Sequence, residues 1–134
     1  MAVLRNETRL IRSAEDVVAV RQIVREWAKA AGFGLVDETK LVTAASELAR
    51  NTVLYAGGGT VRLEALNNDR RCGLRLVFED KGPGIADIAA AMRDGYSTGG
   101  GLGLGLGGAR RLANEFEIES EPGVGTRIAI TRWK

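Results

Sequence analysis

The sequence predicts an α+β domain: a two-layer α/β sandwich with a mixed, mainly antiparallel sheet and helices on one face. Two β-hairpin patterns, at residues 60–79 and 116–131, are separated by helical segments, which favours this architecture. The length of 134 residues is sufficient for one hydrophobic core, and no linker or internal repeat divides the chain. We therefore expect residues 1–134 to form a single domain.

The first half of the chain is predicted to contain a short strand and two helices. Residues 8–12 form the strand, and Ser13 caps a helix that ends at Gly32. The second helix spans Asp37–Tyr55 and is ended by the glycines at 57–59. Apolar residues three and four positions apart give the first helix one buried face, made of Val17, Val20, Val24, Trp27, Ala28 and Ala31.

The second half is predicted to contain the two hairpins with two helices between them. The expected elements are strands 60–66 and 73–79 around a turn at 67–69, a helix at 85–92, a helix from Leu106 through Phe116, and strands 116–121 and 125–131. Alternation of apolar and polar residues identifies the strands. The side chains expected to face the core are Leu74, Leu76, Phe78, Ile118, Ile128 and Ile130.

Composition excludes several functions. The net charge is only +2, so a nucleic-acid partner is not expected, and no apolar run is long enough to span a membrane. The chain has no histidine, which excludes Ser-His catalysis and phosphohistidine relay. Its single cysteine, Cys72, cannot form an internal disulfide, which favours a reducing cytoplasm.

A glycine-rich run is the most distinctive stretch of the sequence. From Gly99 to Gly108, seven of ten residues are glycine, and helix-forming residues follow. Backbone N–H groups at a helix N-terminus can bind phosphate, whereas a flexible linker usually pairs glycine with serine. Gly-Lys does not occur, which excludes a P-loop, and the match of Gly103-x-Gly105-x-x-Gly108 to a dinucleotide fingerprint is accidental because no strand precedes it.

Two further motifs are ambiguous when each is taken alone. Glu47 and Asn51 lie four residues apart on a predicted helix, so their side chains project side by side. Glu47 could equally be a solvated carboxylate paired with Arg50 or Arg111. The run Asp80-x-Gly82-x-Gly84 follows a strand and could be a simple turn.

In combination, the three motifs resemble the N, G1 and G2 boxes of the GHKL ATPases, and Gly125-Thr126 resembles the last box of that family. The resemblance covers nearly the whole chain. Within the superfamily, the runs 46–51, 55–57 and 95–98 are similar to the RsbT-type serine switch kinases of stressosomes.

The resemblance implies ATP and Mg²⁺ as cofactors and gives roles to individual residues. Asp80 would accept a hydrogen bond from the adenine amino group, Gly82 and Gly84 would let the backbone approach the ring, and Thr126 would support the same pocket. Asn51 would be an oxygen ligand of Mg²⁺, and Glu47 would take the proton of the incoming hydroxyl. The residues expected to hold the phosphates are Gly99, Gly100, Gly101, Leu102, Gly103, Leu104 and Gly105.

The expected function is therefore that of an ATP-dependent protein serine/threonine kinase. The resemblance implies a STAS-domain antagonist as substrate and a PP2C-type phosphatase as a second partner. An anti-sigma factor that binds a sigma subunit is the alternative, although the ending Tyr55-Ala56-Gly57 favours the switch kinase. A module that binds nucleotide without transferring phosphate is a third possibility.

Overall fold

The elements observed along the chain follow the predicted order within residues 2–85 and 105–134, which the computed structural model describes. They are β1 (Ala2–Ile11), α1 (Ala14–Ala30), α2 (Leu35–Ala56), β2 (Gly59–Asn68), β3 (Arg71–Asp80), α3 (Gly105–Leu112), β4 (Glu115–Glu121) and β5 (Gly125–Trp133). The strands form one five-stranded sheet in the order β1-β2-β3-β5-β4. The α+β class is confirmed, and every strand pair in the described sheet is antiparallel.

The core lies between one face of the sheet and the helices. Leu63, Leu76 and Ile130 stand opposite one another on β2, β3 and β5, and each is fully buried. The helices contribute residues such as Trp27 and Leu48 to the same cluster, which confirms the predicted burial of Trp27. Burying one such side chain stabilises the fold by roughly 1.5–3 kcal/mol.

Helix boundaries follow local sequence signals closely. The hydroxyl of Ser13 accepts a hydrogen bond from the Asp16 N–H, as expected for an N-cap. Gly32 follows α1 with a φ of +84°, and Gly57 ends α2 with a φ of +74°, a backbone conformation that favours glycine. None of the helices in the described ranges has the length and apolar character needed to span a bilayer.

Several predicted boundaries are wrong: α2 begins at Leu35 rather than Asp37, β5 ends at Trp133 rather than residue 131, and three others have a clear physical cause. The first strand begins at Ala2 rather than at residue 8, because an edge strand needs only backbone pairing with β2 and most of its side chains remain exposed. The first hairpin turns at Asp69-Arg70 rather than over residues 67–69, since pairing continues as far as Asn68↔Arg71. Asp69 has a φ of +54°, which an aspartate tolerates in a tight turn.

The third boundary with a clear physical cause is the end of the last helix. This helix was expected to run through Phe116, but α3 ends at Leu112, and Phe116 pairs with Ile130 in the sheet. The change of direction is held by the Asn114 N–H, which donates to the Thr131 carbonyl at 2.9 Å. Of the helix predicted at 85–92, only residue 85 lies within the described ranges.

A largely buried arginine joins the helices to the sheet. One guanidinium nitrogen of Arg132 on β5 lies 2.6 Å from an Asp37 carboxylate oxygen at the start of α2. Another donates to the Leu112 carbonyl at the end of α3, at 2.8 Å. Because the Arg132 side chain is only 13% exposed, these contacts are stronger than a solvated ion pair. They fix both helices relative to β5.

Candidate nucleotide site

Three polar side chains form one row across the end of the sheet. Asp80, Thr126 and Ser120 stand opposite one another on β3, β5 and β4. Asp80 and Thr126 lie two positions from the buried Phe78 and Ile128, and Ser120 lies two positions from the partly buried Ile118. Because successive side chains on a strand alternate between faces, residues two positions apart share a face. The row therefore continues the helix-facing side of the sheet, but with groups that can form hydrogen bonds.

Ser120 is the centre of a hydrogen-bond network in this row. Its Oγ accepts from the Ile85 N–H at 2.7 Å and lies 2.8 Å from the Thr126 Oγ1. The same oxygen lies 3.1 Å from the Gly125 carbonyl oxygen, to which it can donate. The network connects the segment after β3 with both strands of the second hairpin.

Asp80 begins the connection that leaves β3. Its Oδ1 accepts from the Gly82 N–H at 2.9 Å, which fixes the orientation of the half-buried carboxylate. Within the described residues no donor is bound to Oδ2. One carboxylate oxygen is thus used by the protein, and the other can accept a hydrogen bond from a ligand.

The two glycines of this connection are packed tightly against protein. A Cβ at Gly82 would lie 2.6 Å from the Cβ of Ala56 at the end of α2. A Cβ at Gly84, which has a φ of +76°, would lie 2.3 Å from the carbonyl oxygen of Glu121. Both positions therefore require glycine for close packing. The proposed approach of this backbone to adenine stays a prediction.

Glu47 and Asn51 lie on the helix that ends beside this connection. Since an α-helix rises 1.5 Å per residue, Asn51 is roughly 7.5 Å and Glu47 roughly 13.5 Å before Ala56 along the axis. The Glu47 side chain is 20% exposed, and its Oε1 accepts from Arg50 at 3.0 Å. An ion pair three residues apart on a helix surface contributes only about 0.2–0.5 kcal/mol. It therefore leaves Glu47 able to interact with a substrate.

An open cavity of about 350 Å³ lies at the same end of the sheet. Its lining residues are Glu79, Asp80, Lys81, Glu119, Ser120, Glu121, Val124, Gly125, Thr126 and Arg127. Four carboxylates and two cationic side chains line it, but Glu79, Glu119 and Arg127 alternate along their strands with the polar row and so project from the opposite face of the sheet. The part of the lining that belongs to the polar row is Asp80, Ser120 and Thr126.

Of the predicted phosphate-binding residues, only Gly105 lies within the described residues. Gly105 is the first residue of α3, and Leu106 and Ala109 anchor the helix in the core. A helix N-terminus attracts anions through its free N–H groups and its dipole. The predicted contacts of Gly99, Gly100, Gly101, Leu102, Gly103 and Leu104 lie outside the described residues.

Sequence reasoning did not identify Ser120 as a site residue. The pattern of β4 could have indicated it, because Phe116, Ile118 and Ser120 occupy every second position and therefore share one face of the strand. A polar residue at a core-facing position needs a hydrogen-bond partner. The sequence does not predict that Ile85 is the partner of Ser120, because the two residues are 35 positions apart in the chain.

Comparison with known proteins identifies the family of this chain. Residues 36–134 match the family model described as histidine kinase-, DNA gyrase B-, and HSP90-like ATPase. The chain belongs to this ATPase family. With a TM-score of 0.66 and 22% identity, it shares the fold of the RsbU and RsbW domains of Rv1364c from Mycobacterium tuberculosis, covering 97% of this chain and 33% of that one.

Curated relatives define the type of enzyme. The chain is 50% identical over 118 residues to the serine/threonine-protein kinase RsbT of Bacillus subtilis (strain 168), covering 88% of this chain and 89% of the relative. It is 31% identical over 105 residues to the anti-sigma F factor of Clostridium beijerinckii, covering 72% of each. The protein is an RsbT-type serine/threonine kinase of the partner-switching kind, and it uses ATP.

Proposed function

We propose that this kinase phosphorylates a serine or threonine of a STAS-domain antagonist in a stressosome-like pathway. Residues 1–134 act as one ATP-binding domain in the cytoplasm. The observation that supports the proposal is the order of Asp80, Asn51 and Glu47. Asp80 lies beside the C-terminal end of α2, and Asn51 and then Glu47 lie at increasing distance from that end along the helix. Base, phosphates and acceptor hydroxyl must occur in this same order.

Adenine binds in the cavity at the end of the sheet. Asp80 accepts a hydrogen bond from the exocyclic amino group of the base, and Thr126 contributes its hydroxyl beside it. Gly82 and Gly84 hold the connecting backbone in place.

The phosphates extend from the cavity toward the N-terminus of α3. We assign their binding to Gly105 and to the residues just before it, Gly99, Gly100, Gly101, Leu102, Gly103 and Leu104. Within the described residues, no group of three or more Asp, Glu, Cys or His side chains could hold a metal ion by itself. The side-chain oxygen of Asn51 suits Mg²⁺, because this ion prefers oxygen ligands, keeps several waters and takes phosphate oxygens as further ligands. The ion, when bound, neutralises phosphate charge.

Glu47 acts as the general base. Its carboxylate accepts the proton of the substrate hydroxyl while the hydroxyl oxygen bonds to the γ-phosphorus and the bond to ADP breaks. Arg50 holds one oxygen of Glu47, which leaves the other to accept the substrate proton. Phosphoryl transfer depends mainly on positioning and charge neutralisation, so one carboxylate is sufficient.

A transfer assay with Glu47→Gln tests this assignment. We expect the rate of phosphate transfer from γ-labelled ATP to a purified STAS-domain protein to fall about 100- to 10,000-fold. ATP affinity, measured by calorimetry, should remain unchanged. Glu117→Gln makes the same chemical change on the exposed side of β4 and serves as the control. A Glu47→Gln enzyme with full transfer rate would exclude Glu47 as the base.

The second partner is a PP2C-type phosphatase, which the kinase binds and activates. The similarity to an anti-sigma F factor supports a different second partner, a sigma subunit. Purification of the tagged protein from its source organism distinguishes the two partners. Recovery of a phosphatase supports the switch kinase, and recovery of a sigma subunit supports the anti-sigma factor.

A further inference from the structure

We infer that Ser120 determines the selectivity of the site for adenine over 6-oxopurines, because it controls the proton of the Thr126 hydroxyl. This inference rests on the proposed position of the base beside Asp80 and Thr126. It assigns a positioning role to a residue that does not itself need to contact the nucleotide.

The argument begins with the single proton of the Ser120 hydroxyl. A serine hydroxyl donates one hydrogen bond and accepts two. The Ile85 N–H can only donate, and it occupies one acceptor position of Ser120 at 2.7 Å. The Gly125 carbonyl can only accept, so its contact at 3.1 Å requires the Ser120 proton.

The remaining contact then has only one possible direction. Since the Ser120 proton is used by the Gly125 carbonyl, the 2.8 Å contact to Thr126 is a hydrogen bond only if Thr126 donates. This assignment alone satisfies all three contacts. The Thr126 hydroxyl therefore has no proton left for a ligand and presents only lone pairs to the cavity.

Asp80 imposes the same polarity on its side of the cavity. Its carboxylate is an acceptor, and Oδ1 is already bound to the Gly82 N–H. Asp80 on β3 is paired with Thr126 on β5. Both side chains therefore require a hydrogen-bond donor from the ligand. Adenine has an amino group at C6, whereas hypoxanthine has a carbonyl oxygen there, which both residues repel. An unpaired polar group in such a site discriminates strongly between otherwise similar ligands.

Removing the Ser120 hydroxyl should relax this discrimination. In Ser120→Ala the Thr126 hydroxyl recovers a free proton and can donate to a 6-oxo group. We expect the affinity for ATP to fall about tenfold, consistent with loss of one hydrogen bond near the site, and that for inosine triphosphate to rise or stay constant. The ratio of the two affinities should therefore fall at least about tenfold. Ser120→Thr retains the hydroxyl and should retain the ratio.

Calorimetry with ATP and inosine triphosphate measures the ratio in the full chain. A merely structural role for Ser120 would weaken both nucleotides equally, and an unchanged ratio would therefore overturn the inference. If Ser120→Ala does not fold, Ser120→Cys keeps a similar volume with a much weaker donor and acceptor and gives the same readout. A wild-type protein that binds neither nucleotide would overturn the proposed function as well, whereas tight ATP binding with an unchanged ratio overturns only the role of Ser120.

Discussion

The two hairpins of this protein are the same kind of structure, yet they differ in what they contribute to the candidate site. In β2–β3, apolar residues on the helix-facing side follow one another from Val61 and Phe78 to Ala65 and Leu74. The turn at Asp69-Arg70 lies at the end of the sheet away from the polar row. This hairpin supplies core, and of its helix-facing residues only Asp80, the last residue of β3, belongs to the polar row.

The β4–β5 hairpin changes character along its length. Phe116 and Ile118 pack against the core, but Ser120 and Thr126, nearest the turn, are polar. The turn itself contacts the connection after β3, since the Gly123 N–H donates to the Pro83 carbonyl at 2.8 Å. The comparison teaches that the candidate site lies where the apolar pattern of adjacent strands stops at the same end of the sheet.

Among variants that test the different roles of the two hairpins, Asp80→Asn is expected to have the largest effect on ATP affinity. The amide retains an oxygen for the Gly82 N–H but presents a competing donor to the adenine amino group. We expect ATP affinity to fall about 100-fold, corresponding to about 2.7 kcal/mol, with thermal unfolding unchanged. Titration calorimetry measures the affinity. Unchanged binding would show that the base lies elsewhere.

An intermediate effect is expected from Gly84→Ala, with Gly123→Ala as its matched control. Both glycines have a positive φ, +76° and +79°, so alanine costs about 1–2 kcal/mol at either position. Only at Gly84 would the new Cβ meet backbone, 2.3 Å from the Glu121 carbonyl oxygen, whereas at Gly123 nothing lies within 4 Å. We expect Gly84→Ala to cost a further 1–3 kcal/mol, roughly, in free energy of unfolding.

The two glycine variants should also differ in their affinity for ATP. Gly84→Ala should displace the connection after Asp80 and weaken ATP binding, while Gly123→Ala should leave it unchanged. Chemical denaturation and calorimetry on both variants measure the two effects. Equal behaviour would mean that contact between the second hairpin and the connection does not shape the site.

The smallest effect is expected in the turn of the first hairpin. Asp69 has a φ of +54°, so glycine would relieve backbone strain but increase the entropy of the unfolded chain. These effects nearly cancel, and we expect a change in stability below about 1 kcal/mol and no change in ATP affinity. A clear loss of ATP binding in Asp69→Gly would contradict the division of roles between the hairpins.

Much of the fold could be predicted from local patterns alone. Ser13, Gly32 and the glycines at 57–59 mark helix ends because capping depends on nearby backbone groups. Strand alternation likewise identified the core-facing residues of β3. The early start of β1 at Ala2 escaped prediction, because an exposed edge strand owes its structure to hydrogen bonds with a distant partner.

In the candidate site, too, some features follow from the sequence and others only from the tertiary structure. The sequence by itself, through its resemblance to the GHKL ATPases, predicts Glu47, Asn51 and Asp80 as the residues that carry the chemistry, and their roles stay a prediction. Only the tertiary structure decided that Ser120 meets Ile85 and Thr126, and that Gly84 packs on Glu121. The physical reason is distance along the chain: composition and periodicity report local preference, whereas the direction of a hydrogen bond depends on which groups folding brings into contact.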